Sequence, residues 1–218
     1  MLSLNIETSR NLTSVSLSDD YQIKNILNVN SERPNHCELL SPLIKDLFKS
    51  IPFSLNDIQQ VRVNVGPGNL SSLRVGIATA NSISSFSRIP VYGISSFLLY
   101  AYSYQSEFKN LVTLFDLRNN LFAYARFVKK KEDLVLVEQN FKLTHDDLMY
   151  VDMNNSTLIG TGSGKVQIAH FDKHFELNID SGFSIDSASL AKVNLKFNAD
   201  HVFEDMPLMP FNTFSFVS

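Results

Sequence analysis

Residues 61–86 read VRVNVGPGNLSSLRVGIATANSISSF, and the reading of this stretch decides the fold. Val61, Val63 and Val65 are β-branched and alternate with Arg62 and Asn64, the period of a strand with one apolar face and one polar, exposed face. The strand runs into Gly66-Pro67-Gly68. Glycine tolerates positive φ and proline fixes the bend, so this turn can bring backbone close to a neighbour. Asn69 then has the chemistry of a helix N-cap, its side-chain oxygen accepting an N–H about three residues on. Leu70, Leu73, Ile77, Ala80 and Ile83 or Ser84 follow at spacings of three and four, one apolar stripe of a helix. A second stripe is small: Ser72, Gly76, and Thr79 or Ala80. A mid-helix glycine costs up to about 1 kcal/mol against alanine, so something must offset it. Close approach of another helix is the expected reason.

Upstream, Leu2, Leu4 and Ile6 alternate with Ser3 and Asn5. The alternation resumes over 13–17 after turn residues 7–11, and a third strand is expected over 21–29. An amphipathic helix carrying Leu39, Leu40, Leu43, Ile44, Leu47 and Phe48 comes next. Pro42 leaves two forms open: a helix that starts at Pro42 and is capped by Ser41, or a longer helix kinked there. Residues 54–60 read as a short capped turn. Downstream, 90–94 is a strand and 96–104 a helix, after which three strands return over 111–116, 121–128 and 134–141. A capped helix over 144–149, a strand over 157–160 and a helix over 187–193 complete the pattern. The Phe-rich tail 207–218 has no long periodicity. Two halves that each open on three strands make an α/β protein, divided here as residues 1–105 and 106–218.

At 218 residues and 44% apolar composition the chain can build a full core in one large domain or two lobes. Its net charge of −3 provides no global basic field for nucleic acid, so any RNA contact is local or made through a partner. The single cysteine, Cys37, excludes an internal disulfide and reads as a small buried thiol. No stretch approaches the ~20 apolar residues of a membrane span, and the N-terminus lacks a basic, then apolar, leader pattern. A cytoplasmic location is the expectation.

The run GPGNLSSLRVGIATANSIS resembles the signature of the TsaB (YeaZ) family, Gly-Pro-Gly-Ser-Phe-Thr-Gly-Leu-Arg-Ile-Gly followed by an Ala-rich helix. Gly66, Pro67, Gly68, Leu73, Arg74, Gly76, Ala78, Thr79 and Ala80 match, while Asn69, Leu70, Ser71 and Ser72 depart. The resemblance implies the actin-like superfold shared with sugar kinases and Hsp70, two ribonuclease-H-like lobes with mixed sheets and flanking helices. It also implies a non-catalytic subunit. Such a subunit pairs with TsaD and, with the ATPase TsaE, supports threonylcarbamoyl transfer to the adenosine beside the anticodon of tRNAs, meeting tRNA only through the complex. Carried over to this chain, the partner interface is Leu70, Leu73, Arg74, Gly76, Ile77 and Ala80, completed by His36, Leu43 and Leu47. The same face implies a homodimer when the partner is absent. ATP or ADP belongs, if anywhere, at the partner junction.

Within that superfold the first strand ends in an Asp that faces phosphate and metal; the family has Ile-Asp-Thr, whereas this chain has Ile6-Glu7-Thr8. One methylene displaces the carboxylate by about an ångström, large on a catalytic scale. Glu7, Asp116, Gly160 and Gly162 are the candidate nucleotide contacts. Residues 160–166, GTGSGKV, fail the Walker A spacing, with three residues before the Gly-Lys pair and Val166 after it. They read first as a structural turn. Five histidines, His36, His145, His170, His174 and His201, include one pair at helical spacing, His170 and His174, with no third ligand at a motif spacing. No metal site is expected. A Gly-x-Ser-x-Gly elbow is absent, so a protease reading has no nucleophile. Three further function classes stay open beside the partner subunit: an ATP-binding small-molecule kinase, an ATPase of the same superfold, and a bare self-association module.

Overall fold

A computed structural model of the chain describes residues 1–32, 35–130, 133–166, 177–195, 202–204 and 207–211. In chain order the elements are β1 (Leu2–Glu7), β2 (Leu12–Asp19), β3 (Gln22–Asn30), α1 (His36–Leu47), β4 (Gln60–Gly66), α2 (Leu70–Ser87), β5 (Val91–Ser95) and α3 (Ser96–Ser103). They continue as β6 (Asn110–Asp116), β7 (Leu121–Lys130), β8 (Asp133–Thr144), α4 (His145–Leu148), β9 (Ser156–Ile159), β10 (Leu177–Asp180), α5 (Ala188–Lys192) and β11 (Val202–Phe203). The two halves repeat one plan. The first sheet has the order β11-β5-β4-β1-β2-β3 and the second β10-β9-β6-β7-β8. In each, a meander of three antiparallel strands is extended by two strands parallel to its first member, and in the first sheet the short β11 then adds antiparallel to β5. The expected two-lobe α/β architecture is therefore the observed one.

The chain divides into two compact units, Met1–Leu99 with Ile185–Asn212, and Tyr100–Ser184. A single cut at 105/106 assigns Ile185–Asn212 to the second lobe, whereas here that segment packs with the first. In the first unit, α1 and α2 cover one sheet face with Leu40, Ile44, Leu47, Leu73, Ile77 and Ala80 against Leu4, Ile6, Val15, Leu17, Val61, Val63 and Val65. The second unit has its own core, built on Val112, Leu114, Phe122, Tyr124, Leu148 and Leu158.

Two sequence expectations need correction, and one alternative left open is decided. The polar side of β4 is not exposed. Every residue from Gln60 to Gly66 is buried, because α5 lies over the face that carries Asn5, Ser14 and Arg62. Arg62 donates to the carbonyls of Leu190 and Val193 at 3.0 and 3.3 Å, and Ser14 and Ser187 share a hydroxyl hydrogen bond of 2.8 Å. Polar residues alternate here because the cover is hydrogen-bonded, not because it is water. Of the two forms open for α1, the longer is observed: the helix runs from His36 through Pro42, and both Pro42 and Glu38, which lies one turn before the proline and receives no N–H from it, are exposed. Cys37 is exposed, one position round the helix from buried His36. Strands β10 and β11 carried no readable period at four and two residues.

Candidate functional site

Strands β1, β4 and β5 are parallel neighbours, so their carboxyl ends lie side by side at Glu7, Gly66 and Ser95. In open α/β sheets this edge is where ligands bind. Here the chain's own groups occupy it. Glu7 is buried, and its carboxylate accepts the Ser9 N–H at 2.6 Å and the Asn64 Nδ2 at 2.7 Å. The Asn64 Oδ1 in turn accepts the Gly66 N–H at 2.8 Å and the Ser96 hydroxyl at 2.9 Å. Burial pushes the Glu7 carboxyl above the ordinary glutamate value, more than the bonds from Ser9 and Asn64 hold it down.

The exit of β1 is also fastened to the start of α2. Thr8 Oγ1 donates to the Ser72 carbonyl at 2.9 Å, and the Asn69 N–H donates to the Ser9 carbonyl at 2.9 Å. Gly66 has φ of +103°, its bond to Pro67 is cis, and a Cβ on Gly68 would stand 3.0 Å from Ser9. Asn69 caps α2 as expected, accepting the Ser72 N–H at 3.3 Å. The small stripe serves this seam and not a second helix: a Cβ on Gly76 would meet the Thr8 hydroxyl. The glycine lets α2 lie against the end of β1.

The nine expected interface residues separate by burial. Leu47, Leu73, Gly76, Ile77 and Ala80 are buried within the first unit, as is His36. His36 Nε2 donates to the Arg10 carbonyl at 2.9 Å, which leaves Nδ1 to accept the Thr13 hydroxyl at 2.8 Å. Burial holds the imidazole below its usual pKa, so the neutral ring ties the first residue of α1 to the β1–β2 turn and β2. Leu43 and Leu70 are half-buried and Arg74 is exposed. The outward side of α2 carries Ser71, Arg74, Ala78, Ser82 and Ser85, with Phe86 left 86% exposed near its end.

In the second unit Asp116 ends β6. Its carboxylate accepts the Arg118 N–H at 2.9 Å and pairs with Lys165 at 2.5 Å, and its own N–H donates to Thr161 Oγ1 at 3.1 Å. The 160–166 run is a turn followed by a single helical turn. Gly160 has φ of +107° and passes against the Leu114 backbone. The N–H groups of Gly162, Ser163, Lys165 and Val166 donate to Leu114, Gly160, Gly162 and Ser163 carbonyls. These four backbone donors are thus engaged within the chain and not turned to a phosphate. Among the described residues no group of three or more His, Cys, Asp or Glu side chains could hold a metal ion, and no helix is long and apolar enough to cross a membrane. His170, His174 and His201 lie outside the described residues.

The family model described as "TsaD: tRNA N6-adenosine threonylcarbamoyltransferase" matches residues 29–202. The chain belongs to this family. One curated TsaB relative, the "tRNA threonylcarbamoyladenosine biosynthesis protein TsaB" of Buchnera aphidicola subsp. Schizaphis graminum (strain Sg), is 29% identical over 107 residues, 49% of this chain and 50% of the relative. The alignment thus spans about half the length of that TsaB protein. Among solved structures, YeaZ from Pseudomonas aeruginosa superposes with a TM-score of 0.70 at 18% identity, covering 88% of this chain and 89% of that one. A structure described as an uncharacterized protein with similarity to peptidase YEAZ from Pseudomonas aeruginosa reaches 0.77 at 17% identity, covering 98% and 99%. At these identities the superpositions show a shared fold.

Sequence reasoning missed Thr8, Ser9, Asn64, Ser72 and Ser96 as a connected network. One signal was available: Glu7 and Asn64 carry hydrogen-bonding side chains at the ends of adjacent strands.

Proposed function

We propose that this TsaB-type chain is a non-catalytic subunit in tRNA threonylcarbamoyladenosine biosynthesis, pairing with a TsaD homologue and working with a TsaE homologue. It acts in the cytoplasm and meets tRNA through that assembly. The observation that carries this reading is the internal use of groups at both strand-end turns: Glu7 is consumed by Ser9 and Asn64, and the N–H groups of Gly162, Ser163, Lys165 and Val166 by neighbouring carbonyls. Catalysis of phosphoryl transfer needs such groups free to face a nucleotide and its metal. The outer α1–α2 layer supplies the complementary support. Leu43, Leu70, Ser71, Ala78, Ser82, Ser85 and Phe86 supply small and apolar groups, with the charged Arg74 among them, on which another helical layer can pack closely.

Light scattering of the chain alone and mixed with the TsaD homologue of the same organism tests the proposal. A one-to-one heterodimer that forms at the expense of any homodimer is expected, and Ala78→Trp should prevent it while leaving the melting temperature unchanged. Absence of a complex at tens of micromolar overturns the reading. Calorimetric titration of the isolated chain with Mg-ATP is expected to be flat; saturable binding would instead favour the kinase or ATPase reading.

A further inference from the structure

The segment 207–211, Pro-Leu-Met-Pro-Phe, carries no readable period, yet the first unit holds it in the manner of a bound peptide. Asn81 on α2 engages both backbone groups of Leu208: its Nδ2 donates to the Leu208 carbonyl at 3.0 Å, and its Oδ1 accepts the Leu208 N–H at 3.1 Å. Three residues on, the Phe211 N–H donates to the Val65 carbonyl at 2.6 Å. Two side chains go inward. Leu208 is 3% exposed and fills the space over Gly93, where a Cβ would stand 3.2 Å from it. The Phe211 ring meets Phe203 at 4.7 Å and Phe97 at 6.4 Å, centroid to centroid. Met209 between them points out, 70% exposed. A backbone clamp with pockets for alternate anchors is the physics by which domains read extended peptides.

The strap therefore runs from Asn81, in the second half of α2, back to Val65 and Gly66, where the turn into α2 begins. A segment bonded at both places ties the helix to the strand that feeds it. We propose that residues 207–211 are a lock on α2, with Asn81 as its positioning residue, and that seating of this strap governs the outward face of α2 used for partner docking. This rests on the partner reading given above. Strap seated, α2 is held and the Ser71–Ser85 stripe is presented in one register; strap released, α2 loses its flank support and the partner must pay to order it.

Hydrogen exchange on the isolated full chain reads the lock without a partner, and titration with the TsaD homologue reads its consequence. In Asn81→Leu, of similar size but unable to hydrogen-bond, amides of α2 and of 207–211 are expected to exchange about ten-fold faster, while those of β1–β3 and β6–β8 do not change. Affinity for the partner should fall about ten-fold. Asn81→Asp keeps the acceptor for the Leu208 N–H but replaces the donor to its carbonyl by a carboxylate oxygen that repels it, so it should also speed exchange in α2 at neutral pH. At acid pH its protonated carboxyl should restore slow exchange in α2, a rescue that simple loss of packing would not show. Unchanged exchange in α2 overturns the lock. Faster exchange with unchanged affinity overturns its control of docking. If the wild-type chain forms no complex while Asn81→Leu still loosens α2, the partner reading fails and the control of docking falls with it.

Discussion

In the first unit β1 ends in Glu7, buried and bonded to Ser9 and Asn64; in the second, β6 ends in Asp116, 19% exposed and paired with Lys165. Both carboxylates end the first strand of a meander, and both stand beside a parallel strand that ends in a glycine turn. The difference comes from register. The β1–β4 pairing extends to Ile6 opposite Val63, so the next position sets Glu7 beside Asn64, inside the sheet. The β6–β9 pairing ends at Thr113 opposite Ile159, and Asp116 projects past it to the level of the turn. One carboxylate must find its donors within the core; the other finds them in a loop with water near. Topology alone therefore does not make a phosphate site, because the last few residues of strand pairing decide whether the carboxylate is free.

The comparison predicts where each unit is brittle. The largest effect belongs to Gly160→Val. At φ of +107° a β-branched side chain is strained, and its Cβ would run into the Leu114 carbonyl, which cannot move without dissolving β6. A loss of about 3 kcal/mol or more is expected in urea unfolding, seen as loss of the second unit's signal. A wild-type midpoint would show that this turn is not what closes β9 onto β6. The counterpart in the first unit is Gly76→Ala, where the obstacle is the Thr8 hydroxyl rather than a backbone. It should cost about 1–3 kcal/mol. Repeating it in a Thr8→Ala background should recover part of that cost, since the obstructing oxygen is gone; strictly additive losses would place the clash elsewhere.

Glu7→Gln sharpens the contrast through pH. The carboxyl is raised in the folded chain relative to the unfolded one, so its contribution to stability is full below the unfolded value of 4.5 and is lost as pH rises through the folded value. The wild type should lose stability over that interval, and Glu7→Gln should remove this part of the slope. His36 works in the opposite sense. Its pKa is lowered in the folded chain, so its contribution is present above the unfolded value of 6.5 and declines as pH falls below it. Urea midpoints measured from pH 4 to pH 8 separate the two, and identical profiles for wild type and Glu7→Gln would mean that Glu7 does not carry the shift.

How much of this was legible follows from which interactions have a period. Strand alternation and the 3.6-residue stripe placed β1–β9 and α1–α2, because burial of an apolar face is written along the chain at fixed spacing. The cap at Asn69 and the turn at Gly66 were equally local. What escaped was non-local. Gly76 showed only that something came close; that it was Thr8, sixty-eight positions away, depends on how α2 is laid across β1. Arg62 and Asn64 looked exposed because a hydrogen-bonded cover leaves the same alternation as water does. The clamp on Leu208 was invisible for the same reason, since a lone Asn on a helix has no spacing that announces its partner.

The smallest effect is expected at Lys165, and its smallness tests the comparison most directly. Lys165 sits 2.5 Å from Asp116, but its side chain is 56% exposed. Exposed pairs contribute roughly 0–1 kcal/mol, reduced further by salt. Lys165→Ala should therefore shift the urea midpoint barely, and the shift should shrink as sodium chloride is added. Asp116 would keep the Arg118 N–H, and the backbone bonds of Gly162 and Ser163 would still hold the turn. If Lys165→Ala instead unfolded the second unit as Gly160→Val does, Asp116 would have to be as enclosed as Glu7. The distinction drawn from the registers of β1–β4 and β6–β9 would then be wrong.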